Sequence, residues 1–173
     1  IQRDIDLLQD EVRRVDFRLS YPFENHPRFY PIGIPGYKRF RLNDDYSRIM
    51  VISPFLTNQV LTRITQRGSD HFLISSISSI DEIPKNTRQL FSKIFILDDI
   101  ADLDEGEISL TQDNDHTDVP KKQLVSELSG LHAKIYIMEY GWNSRWIVGS
   151  ANATSAAFNG SNVEFMLEIN GKK

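Results

Sequence analysis

The sequence predicts an α/β domain whose mixed, mainly parallel sheet is flanked by helices. The first observation is a rhythm of apolar strand-like segments at 48–53, 71–75 and 94–97, alternating with a helix capped by Thr57 and a helix at 88–93. Strands joined by crossover helices run parallel, because each helix returns the chain to the same end of the sheet. The second observation is a strictly alternating segment at 131–139, followed by a turn and a return strand at 145–150. We expect these two strands to lie at the centre of the sheet.

The first 45 residues have a different character, and we interpret them as a helix and a strap that precede a domain at 46–173. Ile5, Leu8, Val12 and Val15 recur at the spacing of one helix face, which predicts an amphipathic helix over 1–16. The simplest expectation is that this helix docks on the domain; the alternative is a dimer or interdomain helix. Four prolines and four aromatic residues between positions 22 and 37 then predict an extended strap on the domain surface.

Composition limits the classes of function that the chain can have. Its 173 residues carry a net charge of -4, which disfavours a protein that binds nucleic acid over its whole surface. The absence of cysteine excludes disulfides and thiolate chemistry. No apolar run approaches the roughly 20 residues that a membrane span needs, and no signal peptide is visible. A cytoplasmic location is therefore the default expectation. The start at Ile1 suggests a piece of a longer protein. The acidic stretch at 98–118 is interpreted as a solvated loop away from any phosphate site.

The last quarter of the chain holds the groups that phosphodiester chemistry requires. Such a reaction needs lasting positive charge, dipolar donors for the phosphoryl oxygens and a nucleophile usable near neutral pH. His132 and Lys134 share one face of the alternating strand, and the imidazole of histidine is largely neutral near pH 7. Ser150 and Asn152 supply neutral donors at the end of the return strand. Gly149 is expected to allow close approach of the backbone, and Glu164 to hold one nitrogen of the His132 ring.

Taken together, these residues resemble the motif of the phospholipase D superfamily, the HKD phosphodiesterases. The matching elements are Leu131-His132-Ala133-Lys134, Gly149-Ser150-Ala151-Asn152 and Asn162-Val163-Glu164. The family also has an acid five residues after the lysine, and here Glu139 replaces the usual aspartate. The resemblance implies that His132 attacks phosphorus to form a phosphohistidine and that Lys134, Ser150 and Asn152 bind the phosphoryl oxygens. It further implies that Glu164 orients His132, that Glu139 and Gly149 are structural, and that no metal or cofactor is required.

The resemblance also implies that a second half of the active site lies elsewhere. Family sites use two such motifs, whereas His26, His71 and His116 lack the His-x-Lys pattern and are interpreted as surface or core residues. The second half would come from a dimer partner or from a segment absent here. Three functions stay open: a metal-independent nuclease or phosphodiesterase, a phospholipase or phosphatidyltransferase, and a non-catalytic binding or dimerisation module. A mild excess of basic residues from Lys121 onward favours a nucleic-acid substrate.

Overall fold

The N-terminal helix forms as predicted but does not dock as expected. The computed structural model describes residues 2–15, 18–24, 26–42, 45–96 and 132–172. Helix α1 spans Gln2–Arg14 and buries none of its residues. Within its apolar stripe, Ile5 is 42% exposed and Leu8 is 65% exposed. The apolar spacing therefore predicted the helix correctly, whereas the interpretation that it packs on the domain is wrong for the part of the chain described.

Seven strands and four further short helices make up the rest of the described chain. The strands are β1 (Arg28–Ile32), β2 (Arg48–Ile52), β3 (His71–Ser75), β4 (Phe91–Ile96), β5 (Ile135–Tyr140), β6 (Asn143–Gly149) and β7 (Glu164–Lys172). The helices are α2 (Asn58–Ile64), α3 (Ile77–Glu82), α4 (Lys85–Arg88) and α5 (Ser155–Asn159). The chain is thus an α/β domain, as the sequence predicts.

The strands form one mixed sheet in the order β1-β7-β6-β5-β2-β3-β4, with β5 in the middle. Among the described strands, parallel pairing occurs between β2 and β3, which the predicted helix α2 connects, and between β3 and β4, which α3 and α4 connect. The other four pairings between described strands are antiparallel. The expectation of a mainly parallel sheet is therefore wrong. The physical reason is that the tight turn at Gly141 and Trp142 reverses the chain between β5 and β6, which only an antiparallel pair permits.

The local prediction of a helix at 88–93 also fails. Helix α4 ends at Arg88, and β4 already begins at Phe91. Phe91 lies opposite His71 in the register with β3, and it is buried at 6% exposure. Burial of this ring and parallel pairing outweigh the weak helical preference of the local sequence.

The N-terminal strap contributes an edge strand to the sheet. Strand β1 pairs antiparallel with β7 over the five residues from Arg28 to Ile32. Pro31, which has no N–H to donate, is tolerated because an edge strand uses only one side for pairing. Ile32 is buried at 1% exposure, so the strap is anchored in the core.

One face of the sheet packs against the short helices and carries the core. On β5 the buried residues are Tyr136 and Met138, both with 0% exposure, and Lys134 just before the strand shares their parity. Ile49 and Val51 of β2 and Met166 of β7 continue this face. The predicted alternation at 131–139 is therefore confirmed where it is described, with the Lys134 side facing inward. None of the described helices is long and apolar enough to cross a membrane.

Several sequence interpretations concern segments outside the described residues. These are the acidic loop at 98–118 and the residues His116 and Leu131.

Candidate active site

Four strand ends meet at one edge of the sheet, and the predicted site residues lie there. β5 and β7 start at this edge, and β6, antiparallel to both, ends at it. β2 also ends here because it is antiparallel to β5. His132 and Lys134 lie just before β5, Ser150 follows β6, and Glu164 begins β7. The topology therefore gathers groups that are separated in the sequence.

Lys134 places a buried cationic side chain at this edge. The residue is 5% exposed, and its Nζ donates a hydrogen bond of 2.8 Å to the backbone carbonyl of His132. Burial lowers the pKa of Lys134, and the negative charge of Glu164 opposes that shift. His132 itself is exposed, so its imidazole is open to a ligand while its backbone is tied to the lysine.

Ser150 and Glu164 form a second cluster at the adjoining strand ends. The Ser150 Oγ donates to Glu164 Oε2 at 2.5 Å and accepts the backbone N–H of Phe165 at 3.0 Å. Asn162 Nδ2 donates to the other carboxylate oxygen at 3.3 Å. Among the described residues, no hydrogen bond joins Glu164 to the His132 ring. The role of Glu164 in orienting His132 therefore stays a prediction.

Gly149 lets two strands approach where the clusters meet. A Cβ built on Gly149 would lie 2.1 Å from the carbonyl oxygen of Phe165 and 2.7 Å from Met166 Sδ. The φ of Gly149 is outside the left-handed region, so its backbone conformation does not require glycine. Glycine is required because a side chain would have no room. Its backbone N–H donates to the carbonyl of Lys134 at 3.2 Å, which links the return strand to the lysine.

Ser53, a residue that the sequence interpretation missed, holds the backbone just after Asn152. The buried Ser53 hydroxyl lies 3.4 Å from Asn152 Oδ1 and accepts the backbone N–H of Ala153 at 2.9 Å. Ser53 follows β2, and continuing the β2–β5 register brings it level with Lys134. A single polar residue at the end of an apolar strand is the only local signal for this role, since its partners lie about a hundred residues later.

Tyr136 holds the backbone at Ala151, just before Asn152, from the buried face of the sheet. Its fully buried hydroxyl donates to the carbonyl of Ala151 at 2.9 Å. Burial raises the pKa of Tyr136, and the charge of Glu164 adds to the shift, so the phenol stays protonated as a donor. The backbone before Asn152 is thereby fixed to the central strand.

Glu139 lies at the far end of β5, about 17 Å from Lys134 at the usual rise per residue. The Arg48 Nη2 donates to both of its carboxylate oxygens, at 2.8 and 2.7 Å. The hydrogen bond with Glu139 is the main cause of a raised pKa for Arg48. Glu139 thus fastens β5 to the start of β2, and its place in the motif stays a prediction.

The histidines outside the motif lie where the sequence placed them, as far as they are described. His26 is exposed, and His71 is 2% exposed with Nδ1 accepting the backbone N–H of Ile49 at 3.2 Å. Within the described ranges, no group of three or more histidine or acidic side chains could hold a metal ion.

Comparisons with known proteins give structural similarity only. No family model matches the chain, and no curated protein matches it. A mutant of yeast tyrosyl-DNA phosphodiesterase is similar with a TM-score of 0.48 and 11% identity, over 83% of this chain and 30% of that one. NucT from Helicobacter pylori is similar with a TM-score of 0.43 and 17% identity, over 70% and 67%. Nuc, a phospholipase D family member from Salmonella typhimurium, has a TM-score of 0.40 and 13% identity, over 75% and 70%.

Proposed function

We propose that this chain carries one half of a metal-independent phosphodiesterase active site of the phospholipase D type, acting on nucleic acid. The observation that carries the proposal is the convergence of His132, Lys134, Ser150, Asn152 and Glu164 at one edge of the sheet. Each group has a use in phosphoryl transfer, and the hydrogen bonds that hold Lys134, Ser150 and Glu164 pre-organise the site.

In the first step, an imidazole nitrogen of His132 attacks phosphorus. A P–O ester bond breaks as the N–P bond forms, which leaves a phosphohistidine and an alcohol. Lys134, Ser150 and Asn152 stabilise the charge on the non-bridging oxygens, and burial of the lysine strengthens that interaction. Glu164 stabilises the imidazolium. In the second step, water attacks phosphorus and gives a proton to the group that protonated the leaving oxygen in the first step. The N–P bond breaks, a phosphate monoester forms and His132 is regenerated.

The leaving oxygen must take up a proton, and the described part of this half-site holds no second histidine in the motif pattern to supply it. Among the described histidines, His26 and His71 have no neighbouring lysine in the motif pattern, and His71 is buried in the core. We propose that a second half supplies the acid, either from a dimer partner or from another segment of a longer protein. This arrangement would place two histidines on opposite sides of one phosphate.

The experiment that tests the function is hydrolysis of a generic phosphodiester and of plasmid DNA in excess EDTA. Wild type is compared with His132→Ala, and His26→Ala serves as the matched control because His26 is an exposed histidine outside the site. We expect EDTA-resistant cleavage that is lost in His132→Ala, by a factor of at least about 10³, and kept in His26→Ala. Vesicles that contain phosphatidylcholine are included to detect release of a lipid headgroup.

The outcomes separate the candidate functions. Cleavage abolished by EDTA, or cleavage that His132→Ala retains, would contradict the histidine mechanism. Headgroup release without DNA cleavage would replace nucleic acid by lipid as the substrate. If the chain alone is inactive, the same comparison is made with the parent protein or with a partner half added. Inactivity of wild type there would support a non-catalytic module.

A further inference from the structure

Phe55 is an exposed aromatic side chain next to the candidate active site. It lies between β2 and α2 and is 59% exposed. The antiparallel register of β2 with β5 ends at Ile52 opposite Ile135; Phe55 follows three residues later, and Leu56 then pairs with Ala153, the residue after Asn152. The ring therefore belongs to the edge of the sheet where the phosphodiester is proposed to bind.

The backbone that carries this ring is held on one side by serine hydroxyls. The carbonyl of Pro54 accepts from Ser76 Oγ at 2.9 Å and from Ser79 Oγ at 2.7 Å. The carbonyl of Phe55 accepts from Ser53 Oγ at 2.8 Å. Because the segment is hydrogen-bonded at consecutive residues, little backbone entropy would be lost when a ligand contacts the ring.

The other side of the segment joins the phosphate-binding loop. Leu56 forms a parallel bridge with Ala153, and the Thr57 N–H donates to the Ala153 carbonyl at 2.9 Å. Asn152, the proposed ligand of a phosphoryl oxygen, immediately precedes Ala153. A phosphate bound by Asn152 would therefore lie beside the segment that carries Phe55.

We propose that Phe55 is a stacking platform for the base next to the scissile phosphate. The inference rests on the proposed function and narrows its substrate to single-stranded nucleic acid, since a base inside a duplex has no free face for the ring. Stacking on an aromatic ring tolerates every base, so the site would select unpaired strands without selecting a sequence. Exposure alone would not carry this inference, because single exposed aromatics are ordinary on protein surfaces.

The test measures binding, so it does not depend on turnover. The probe is a fluorescent, phosphorothioate-linked oligothymidylate of about eight nucleotides, compared with an abasic oligomer of equal length and charge at one fixed salt concentration. The variants are Phe55→Ala and Phe55→Trp. The control is Trp142→Ala, which removes an 84% exposed ring from the turn at the opposite end of β5. Anisotropy gives the ratio of the two affinities for each protein.

We expect wild type to bind the thymidylate roughly 10-fold more tightly than the abasic oligomer. Phe55→Ala should bring the ratio close to one, whereas Phe55→Trp and Trp142→Ala should keep it. The inference is overturned if wild type shows no preference, if Phe55→Ala keeps the preference, or if it weakens both probes equally. The EDTA-resistant cleavage lost in His132→Ala is scored independently. Cleavage without a base preference supports the proposed hydrolysis and overturns the stacking site. A Phe55-dependent preference without cleavage supports the stacking site and counts against the proposed hydrolysis.

Discussion

Gly149→Ala should destabilise the domain at the point where the return strand joins Lys134 to the cluster of Ser150 and Glu164. The added methyl group would lie 2.1 Å from the Phe165 carbonyl oxygen, whereas ordinary contact begins more than 1 Å further out. The backbone of β7 must move away by about that distance. The 3.0 Å hydrogen bond from the Ser150 N–H to the same carbonyl would then be lost. One lost hydrogen bond of about 1 kcal/mol and an overpacking cost of roughly 1–3 kcal/mol predict a total of about 2–4 kcal/mol.

The assay is urea unfolding followed by circular dichroism, with Gly141→Asn as the control. Gly141 has a φ of 58° but no neighbouring atom within 4 Å, so it depends on conformation and not on space. Asparagine tolerates that conformation, and Gly141→Asn should cost less than about 1 kcal/mol. A Gly149→Ala protein within about 0.5 kcal/mol of wild type would refute the close strand contact. The displaced Ser150 should also weaken phosphate binding in any Gly149→Ala protein that folds.

Two further predictions concern residues away from the candidate site. Glu139→Gln should lower the free energy of unfolding by about 1 kcal/mol, discounted because Arg48 and Glu139 are 30% and 21% exposed. Its EDTA-resistant hydrolysis should match wild type well below the melting temperature; a loss of activity there would contradict a purely structural role. Burial lowers the pKa of His71 in the folded protein. Between that lowered pKa and 6.5, the His71 side chain is therefore protonated in the unfolded chain and neutral in the folded chain. The urea midpoint should therefore fall as the pH drops through 6.5 toward the lower folded pKa, and His71→Asn, which keeps an acceptor, should flatten that fall. An equal fall in His71→Asn would show that another group is responsible.

The sequence was most informative where the signal was periodic. The bounds of β3 agree with the predicted 71–75, and the alternation before Tyr136 correctly placed Lys134 on the same side as the buried tyrosine. It was least informative for short elements. Helix α3 was missed because its serines and isoleucines have only modest helix propensity, and part of its stability comes from a Ser76 cap that accepts the Ser79 N–H.

Hydrogen-bond partners that are distant in the sequence could not be predicted either. No local pattern connects Ser53 with Asn152, because their contact depends on which strands become neighbours. The sequence assigned Glu164 to His132 from the chemistry of histidine sites and from the family resemblance, whereas in the structure its carboxylate accepts from Ser150 and Asn162. Motif spacing could predict which residue types gather at the site. It could not predict which of them form hydrogen bonds with one another, because a hydrogen bond depends on the positions of individual atoms, which the spacing of residues does not specify.

Lys134→Met distinguishes a functional lysine from a structural one. A buried ammonium is costly, and only its bond to the His132 carbonyl is made among the described residues. Methionine has a similar volume and no charge, so the variant should be as stable as wild type or more stable by about 1–2 kcal/mol. Because burial lowers the pKa of Lys134, wild type should gain stability as the pH rises from the folded pKa toward 10.5, and the difference should shrink. Binding of inorganic phosphate, measured by calorimetry, should be lost. A less stable variant that still binds phosphate would mean that Lys134 serves the fold and not the site.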